Sequence, residues 1–426
     1  MKTLLKNARV IKMIDDKVIF ANIVIEDDRI KYIGDKIDNY KPFDVVYDCE
    51  GNVIMPGFKN AHTHSAMTFL RSKTDDTSLQ DWLFGSVLPR EDHLKENDVY
   101  ELSKIAFLEY LTSGITACFD QYYFPMSTAK AAQEMGMRVV LLGTYNKEFD
   151  LVQKLCDIYH KLNDKDGLVK YCLGVHAEYT LGEGELEKVV EACHLLKAPF
   201  YTHISETEKE VRECYEKRGM SPVQYFEKMG AYYYGGGGYH CCYFSDEDIQ
   251  IFKKHGCSVV TCPGSNTKLA SGIAPISKYL ENGLNVAIGT DGPASNNSLD
   301  MFKEMTLVYA LQKVSLKDPS ALSAFEVLKM ATVNGARAMG LYDSDVLDVG
   351  KKADLIEIDL SKPNMQPINN IINNIVYAGS KDNIKMTMIN GKILYKNGKF
   401  YTKEKPAKIY EKCQKISERI EKELEY

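Results

Sequence analysis

The sequence lacks several features that would place it among membrane, secreted or nucleic-acid-binding proteins. No apolar run in the 426 residues approaches the roughly 20 residues that a helix needs to span a bilayer. The first residues, MKTLLKNARVIKMIDD, carry charges within a short apolar stretch and do not match a secretory signal. The net charge is -6, and the basic residues form no stripe that would bind nucleic acid. We therefore expect a cytoplasmic protein that binds neither membranes nor nucleic acids.

The cysteines also lack the spacing of a redox or zinc motif. There are 11 of them, an odd number, and no C-x-x-C occurs. This usage favours reduced thiols over a disulfide framework. Cys241 and Cys242 are adjacent, and we expect them to pack as small apolar residues. With 45% hydrophobic and 26% charged residues, the composition is that of a globular protein with room for one large and one smaller domain.

The two ends of the chain share a pattern that the middle lacks. In residues 1–55, β-branched runs such as VIFANIVIEDDRIKYIG are broken by Asp, Asn and Gly, which predicts a small antiparallel sheet. The pattern returns in residues 346–402, where KADLIEIDL, NIVYAG and IKMTMINGKILYKNGKFY are predicted strands. Asn-Gly pairs at 390–391 and 397–398 predict hairpin turns. We predict one small β-sandwich domain built from both ends.

The middle of the chain, residues 56–345, alternates short apolar runs with stretches of helical periodicity. Eight runs are predicted strands: GFKNAHTH, ITACFD, RVVLLGTY, LVKYCLGVHAEY, PFYTHISE, YYYGGGGYHC, CSVVTCPGS and NVAIGTDG. Helix candidates such as ENDVYELSKIAFLEYLTSG and EGELEKVVEACHLLKA lie between them. Eight strand–helix units in succession predict an α/β protein with a (β/α)8 TIM barrel.

The last segment, residues 403–426, is predicted to be a C-terminal helix that docks on the rest of the molecule. Its apolar residues recur mostly four positions apart and form one face. That face comprises Ile409, Cys413, Ile416, Ile420 and Leu424.

Histidine is scarce, with nine residues in the chain, yet several histidines fall where the predicted barrel strands end. Six residues suited to metal binding or proton transfer occupy such ends: His62, His64, His176, His203, His240 and Asp291. Functional residues of a barrel collect at the C-terminal ends of its strands. Residues i and i+2 of a strand face the same side, so His62 and His64 can both point into the barrel mouth. Each residue alone could be a core histidine or a helix cap, but their coincidence favours a metal site.

The remaining histidines do not share this placement. They lie in predicted helices or loops, and we interpret them as surface or packing residues. They are His93, His160, His194 and His255.

Five stretches carry a family resemblance: PGFKNAHTHSAMTFLRS, YTHISETEKEV, YHCCYFSDEDI, CPGSNTKLASGIAPI and AIGTDGPASNNSLDMF. They resemble the amidohydrolase superfamily and, more closely, its adenosine-type deaminases, which act on 5'-methylthioadenosine and S-adenosylhomocysteine. The resemblance covers nearly the whole chain and includes WLFGSVLPRED and VGKKADLIEID. It implies hydrolysis of the exocyclic amino group of an adenosine-like substrate, with release of ammonia.

The resemblance also implies the residues of the site. One divalent metal per chain, with zinc favoured over iron, nickel or manganese, would be held by His62, His64, His203 and Asp291. Glu206 would handle protons and contact the substrate, and Asp291 would take a proton from the attacking water. His240 would orient that water or the substrate. Glu91 would bind the ribose hydroxyls, and His176 would contact the nucleobase side of the pocket.

One departure from the family bears on the substrate. Relatives that accept S-adenosylhomocysteine often place arginines before the strand-four histidine, where a guanidinium can grip a carboxylate. No arginine occurs here between Arg138 and Arg212, and NDKDGLVKYCLG offers only lysines. We therefore expect a smaller 5'-modified adenosine to be the better substrate. Another aminated heterocycle, such as a guanine, pterin or s-triazine, remains an alternative.

Two alternative functional hypotheses stay open on the sequence alone. A binuclear hydrolase of the dihydroorotase type would carry a bridging lysine at the end of strand four, but VHAEY places His176 there. A metal-free relative that serves as an assembly module would be expected to lose ligands, and the ligand residues are all present. A homo-oligomer is left open, because no segment specifies an interface.

Overall fold

The computed structural model describes residues 1–73, 75–143, 150–163 and 167–424, which form two sheets and the helices around them. One sheet draws its nine strands from both ends of the chain. These strands are β1 (Lys2–Ile11), β2 (Val18–Glu26), β3 (Arg29–Gly34), β4 (Val45–Asp48), β5 (Val53–Pro56), β14 (Leu355–Ile358), β15 (Ile384–Ile389), β16 (Lys392–Lys396) and β17 (Lys399–Phe400). Their order is β17-β16-β15-β14-β5-β1-β2-β3, with β4 also paired to β1.

This sheet is mixed, so the prediction of a purely antiparallel sheet is wrong. β1 pairs antiparallel with β2 along one edge and parallel with β4 and β5 along the other. The chain between β3 and β4 returns to the start of β1, so β4 and then β5 run beside β1 in its own direction. The two predicted Asn-Gly turns join β15 to β16 and β16 to β17, and all four residues have positive φ angles.

The predicted strand NIVYAG is also wrong, because most of it lies in a helix, Ile371–Tyr377. The Asn370 side chain caps this helix by accepting a hydrogen bond from the Asn373 backbone N–H. Ile372, Ile375 and Val376 are buried on its inner side. The spacing of these apolar residues fits a helix as well as a strand, and the cap decides between them.

The second sheet is the predicted barrel, and each of the eight predicted runs overlaps one of its strands. The strands are β6 (Phe58–Thr63), β7 (Ile115–Tyr122), β8 (Arg138–Gly143), β9 (Val169–Gly174), β10 (Phe200–Ile204), β11 (Gly236–His240), β12 (Ser258–Thr261) and β13 (Asn285–Ile288). They are parallel and follow one another in chain order. Residues 144–145, at the end of the predicted run RVVLLGTY, lie outside the described residues. The fold class is confirmed.

The described helices pack on the barrel strands and on one another. They are α1 (Leu79–Trp82), α2 (Leu88–Glu91), α3 (Glu96–Thr112), α4 (Pro125–Met135), α5 (Leu151–Asn163), α6 (Glu185–Leu196), α7 (Glu208–Arg218), α8 (Pro222–Lys228), α9 (Asp246–His255), α10 (Pro263–Lys268), α11 (Ile276–Glu281), α12 (Met301–Leu316), α13 (Ala324–Met330), α14 (Val333–Ala338), α15 (Ile371–Tyr377) and α16 (Pro406–Leu424). Helix α9 shows how the sequence sets its ends: Ser245 caps its first turn, and Gly256 follows its last residue with a φ of 64°. None of the described helices combines the length and apolar character that a bilayer crossing requires.

The C-terminal helix forms where it was predicted, although residues 425–426 lie outside the described part of the chain. Ile409, Cys413, Ile416 and Ile420 are buried, and Leu424 packs at the edge of the same core. We keep 1–55 with 346–402, 56–345 and 403–426 as the proposed domain limits, because the strands change from one sheet to the other between β5 and β6.

The barrel closes through individual side-chain and backbone hydrogen bonds at the seam between its first and last strands. Among the described residues, no backbone ladder joins β13 to β6. The Asn60 amide instead donates to Thr290 Oγ1 at 2.7 Å, and Asn60 Oδ1 accepts from the Thr290 backbone N–H at 2.9 Å. The Asp291 backbone N–H donates to the His62 carbonyl at 3.0 Å. The seam therefore brings the ends of the first and last strands into direct contact.

Candidate metal and substrate site

Buried nitrogen and oxygen donors converge at the C-terminal mouth of the barrel. One donor atom from each of His62, His203, His240 and Asp291 lies within 4.8 Å of the others. His64 joins them, with Nε2 3.1 Å from Asp291 Oδ1 and 3.3 Å from His203 Nε2. The structure thus brings together five of the six strand-end residues that the sequence singled out.

Hydrogen bonds on the outer side of three histidines set the direction of their lone pairs. His64 Nδ1 contacts the Gln121 carbonyl at 2.6 Å, His203 Nδ1 the His176 carbonyl at 2.8 Å, and His240 Nδ1 the Asn266 Oδ1 at 2.8 Å. Because these oxygens can only accept, each Nδ1 carries the proton and donates it. Each Nε2 then faces the centre of the group, as metal-binding histidines require. Burial opposes a rise in the pKa of His64, but the contact of its Nε2 with Asp291 outweighs burial and raises that pKa, so a cation that binds there displaces a proton.

His62 has buried polar atoms that nothing else in the described structure satisfies. Neither ring nitrogen has a hydrogen-bond partner among the described residues. The ring stacks on Tyr239 with centroids 3.8 Å apart, and Nε2 lies 3.5 Å from Asp291 Oδ1. Burial lowers the pKa of His62 to about 3, so the imidazole is neutral, which is the form that binds a metal. An orphaned buried imidazole beside a carboxylate fits a divalent cation, and the nitrogen-rich donor set fits zinc.

Asp291 supplies a fixed negative charge to this group. Its backbone is in the left-handed region, with a φ of 59°. Oδ1 accepts from the Gly292 backbone N–H and Oδ2 from the Ser295 hydroxyl, each at 2.7 Å. Burial alone would raise the pKa of Asp291, but the contacts with His62 and His64 outweigh it and hold the pKa well below its usual range. The carboxylate is therefore ionised and oriented.

Glu206 lies beside the donor group in the loop that leads from β10 to α7. Its Oε1 accepts from the Ser271 hydroxyl at 2.9 Å, and its Oε2 is 3.8 Å from His240 Nε2. The side chain is almost fully buried, and this burial raises its pKa against the opposing influence of His240. Both oxygens of Glu210 accept backbone N–H groups, from Ser205 at 2.8 Å and from Glu206 at 2.7 Å. Glu206 is thus a buried carboxyl with a raised pKa, and its backbone N–H is held by Glu210.

A cavity of about 390 Å³ opens next to His64 and is lined by both polar and apolar side chains. Glu91 borders it and accepts a hydrogen bond from the Tyr122 hydroxyl at 2.6 Å, and burial raises the pKa of Glu91 to about 7. His176 borders it as well, with Nδ1 3.1 Å from Thr180 Oγ1. Burial lowers the pKa of His176 to about 3. The cavity has the size and mixed lining of a small-molecule site.

Several residues of the site were not predicted from the sequence. They hold the chemistry-bearing side chains by hydrogen bonds: Tyr122, Asn266, Ser271 and Ser295. Asn266 and Ser271 belong to CPGSNTKLASG, and Ser295 follows TDGP, so all three stand in stretches that carried the family resemblance. The sequence motifs identified the segments that surround the site. They did not identify which polar side chain hydrogen-bonds to which functional residue.

Comparison with known proteins agrees with this geometry. A family model described as the amidohydrolase family matches residues 53–394. A 5-methylthioadenosine/S-adenosylhomocysteine deaminase of Caldanaerobacter subterraneus subsp. tengcongensis is 38% identical over 421 residues, 96% of this chain and 97% of its own. A 5'-deoxyadenosine deaminase of Methanosarcina acetivorans is 40% identical over 403 residues, 92% of this chain and 93% of its own. The crystal structure of an adenosine deaminase from Xanthomonas campestris with bound zinc superposes with a TM-score of 0.92 at 28% identity, covering 99% of this chain and 98% of that one.

Proposed function

The chain belongs to the amidohydrolase family, and on that premise we propose that it is a metal-dependent deaminase of adenosine-like nucleosides. It hydrolyses the exocyclic amino group and releases ammonia. One observation supports this most directly: a buried carboxyl with a raised pKa, Glu206, lies beside a convergent group of imidazoles and one carboxylate at the barrel mouth. Its relatives of similar length are named for the same reaction type.

We assign His62, His64, His203 and Asp291 as the ligands of one divalent cation, and zinc as that cation. Three imidazoles and a carboxylate are a common zinc donor set, and the Xanthomonas relative is described with bound zinc. When bound, such a cation acidifies a water molecule and polarises the atom that the water attacks. The His240 ring also belongs to the donor group, and we assign it to orienting the water or the substrate.

The remaining steps belong to the chain's own side chains. Asp291, which is ionised, accepts a proton from the attacking water as its oxygen bonds to the purine carbon. Glu206, whose pKa burial raises, donates a proton to the adjacent ring nitrogen. The proton held by Asp291 then passes to the amino group, which leaves as ammonia, and Glu206 recovers its proton as the ring carbonyl forms.

We place the nucleoside in the cavity with its ribose hydroxyls at Glu91 and its base near His176. The described residues that line this cavity include no arginine or lysine. One lysine of the NDKDG segment, Lys165, lies outside the described residues, and Lys170 does not border the cavity. Lys147 also lies outside the described residues. A described lining without a guanidinium or ammonium group supports a neutral 5' substituent over the charged homocysteine group of S-adenosylhomocysteine.

Ammonia release from a panel of substrates tests this function. The panel comprises adenosine, 5'-deoxyadenosine, 5'-methylthioadenosine, S-adenosylhomocysteine, guanine and an aminated s-triazine. We expect kcat/KM for 5'-methylthioadenosine to exceed that for S-adenosylhomocysteine by about tenfold or more, the worth of one unmade charge-assisted contact. Equal rates for these two would overturn the argument from the cavity lining. Turnover of guanine or the triazine, with none of the adenosines, would overturn the proposed function.

We further propose a small-molecule substrate as the main partner and the cytoplasm as the location. The 11 cysteines of the chain are all free thiols, and most are buried. Unpaired thiols in this number support a reducing compartment.

A further inference from the structure

The C-terminal helix α16 lies against the segment that carries Glu91. It packs on α3, on α2 and on the 3-10 turn Ser65–Leu70 that follows His64. Its apolar face is buried in the main core, as its sequence pattern predicted. The outer wall of the segment that borders the cavity is therefore built by the last residues of the chain.

An ion pair joins this helix to the residue next to Glu91. Arg90 Nε donates to Glu421 Oε1 at 2.9 Å, and Nη2 donates to Glu421 Oε2 at 3.3 Å. Arg90 Nη1 also donates to the Ser86 carbonyl at 3.1 Å and to the Ser86 hydroxyl at 2.8 Å. The Arg90 side chain is 21% exposed and that of Glu421 31%, so the pair is partly shielded from water. The two-point contact fixes the plane of the guanidinium as well as its position.

A second contact holds the chain just after Glu91. Arg419 Nη1 donates to the His93 carbonyl at 3.3 Å, and Nη2 donates to the Asp98 carboxylate. Glu423 holds the same guanidinium from the other side, with Nη1 to Oε2 at 2.8 Å. Positions 90 and 93, on either side of Glu91, are thus both tied to α16.

The segment around Glu91 needs such support because it is short and irregular. Helix α2 has four residues and follows a five-residue π-helical turn, Leu83–Val87. A single helical turn is unstable by itself, so tertiary contacts must set its orientation. Within the cavity, the one described hydrogen bond to the Glu91 carboxyl is that of Tyr122.

We propose that Glu421, acting through Arg90, is a positioning residue that sets the orientation of Glu91 toward the ribose hydroxyls of the substrate. The proposal rests on the proposed function, because it takes Glu91 as the group that meets the ribose. Loss of the Glu421–Arg90 pair should weaken ribose binding without changing the chemical step. Such a change raises KM and leaves kcat nearly constant.

The test compares adenosine with 2',3'-dideoxyadenosine, which lacks the hydroxyls that Glu91 would bind. In Glu421→Gln, we expect KM for adenosine to rise about three- to tenfold, while kcat stays within about twofold of the wild-type value. This is the pattern of a variant that loses substrate binding but keeps the chemical step. 2',3'-Dideoxyadenosine keeps the exocyclic amino group and is also a substrate, and its KM should stay at the wild-type value. Glu91→Gln should raise KM for adenosine more than Glu421→Gln does, again without affecting 2',3'-dideoxyadenosine. The double variant Glu91→Gln/Glu421→Gln should behave like Glu91→Gln alone, because Glu421 is proposed to act only through Glu91.

Two controls separate positioning from stability. Lys415→Gln removes the exposed ion pair with Glu411 on the outer face of the same helix. It should leave kcat and KM for adenosine unchanged. Arg90→Lys keeps the charge but loses the planar two-point contact, so it should repeat the effect of Glu421→Gln even if that variant folds poorly.

The outcomes distinguish the two proposals. If Glu91→Gln discriminates between the two ligands but Glu421→Gln and Arg90→Lys do not, the positioning role is overturned and the ribose role of Glu91 stands. If the variants weaken both ligands equally, the helix acts through general stability and the positioning role is again overturned. If Glu91→Gln itself fails to discriminate, the assigned ribose role is wrong and the inference falls with it.

Discussion

Glu206 shows how burial turns an ordinary acidic residue into a candidate proton donor. We expect Glu206→Gln to lower kcat by about 10²- to 10⁴-fold with little change in KM, because an amide occupies the same space but cannot transfer a proton. Steady-state ammonia release measures both constants. Glu208→Gln, two residues along and exposed, is the matched control and should retain wild-type kinetics. Full activity in Glu206→Gln would exclude the proton-transfer role.

Lys59 presents the opposite case, a cation buried at the foot of the barrel without a carboxylate in hydrogen-bond contact. Nζ donates to Thr116 Oγ1 at 2.8 Å and to the Gly57 carbonyl at 3.1 Å. Burial lowers the pKa of Lys59 from 10.5 to about 8. Below about pH 8 the amine is charged in both folded and unfolded states, and the whole cost of burying it destabilises the fold. Between that pH and the unfolded pKa the folded state releases its proton first, so the cost declines as pH rises.

This sign gives a prediction for Lys59→Met. The variant should be more stable relative to wild type at about pH 7 than at about pH 10: its free energy of unfolding minus that of wild type should be larger at the lower pH by roughly 2 kcal/mol. Urea unfolding of both proteins at the two pH values measures it, and the subtraction removes the titration of all other groups. A difference that does not change with pH would show that Lys59 has an ordinary pKa in the fold.

The strand-end histidines and Asp291 could be predicted from the sequence because a barrel brings the C-terminal ends of its strands together. Their hydrogen-bond partners could not. Asn266 reaches His240 from helix α10, which follows the next strand, and Ser271 reaches Glu206 from the loop after that helix. Which polar side chain completes such a contact depends on loop conformations that no local pattern in the sequence encodes.

Strand β11 shows how an element can form against its own propensity. Its sequence, GGGYH, lacks β-branched residues, although the run YYYGGGGYHC that contains it was predicted to be a strand. The glycines are required by their neighbours: a Cβ on Gly238 would lie 2.4 Å from Ile204 Cγ2 and 3.0 Å from Cys241 Sγ. The strand forms because it packs closely against β10, although its residues have low intrinsic β-propensity.

Gly238→Ala should therefore destabilise the protein by about 1–3 kcal/mol, the usual cost of overpacking a core. Thermal or urea unfolding measures this cost. Gly85→Ala is the control, since no atom lies within 4 Å of the added Cβ and its φ is not positive. It should be neutral or stabilising by about 0.5–1 kcal/mol, because alanine loses less backbone freedom in a helical turn. Equal stability of the two variants would contradict the packing account.

Elements were predicted best where they are long or bounded by clear signals. Most of the barrel strands follow from short apolar runs, α3, α6 and the C-terminal helix from apolar periodicity, and the two hairpins from their Asn-Gly turns. NIVYAG was wrong because six residues cannot separate the two periodicities. The parallel pairing of β4 and β5 with β1 was missed because strand direction depends on the path of the intervening chain, which is not a local property.

For the molecule as a whole, the donor group ties distant strands together, so a bound cation should stabilise the fold. We expect dialysis against a chelator to lower the melting temperature and added zinc to restore it. At a free zinc concentration 100 times the Kd, the gain is about 2.7 kcal/mol. His62→Ala should lose both the metal and this response, whereas His194→Ala, an exposed histidine on α6, should keep them.

The metal content of the purified protein and its melting temperature, measured on the same sample, decide between one metal, two metals and none. About one ion per chain with a metal-dependent melting temperature is expected. Two ions per chain would favour the binuclear hydrolase, and no ion with an unchanged melting temperature would favour the assembly module.

The seam between β6 and β13 also bears on how the protein is made. His62 and His64 leave the ribosome early, whereas Asp291 follows only after the eighth barrel strand has been synthesised. A nascent chain that ends at β12 can present imidazoles but lacks the carboxylate that faces them across the seam. Secure metal loading, and with it the onset of activity, must therefore await the end of barrel synthesis.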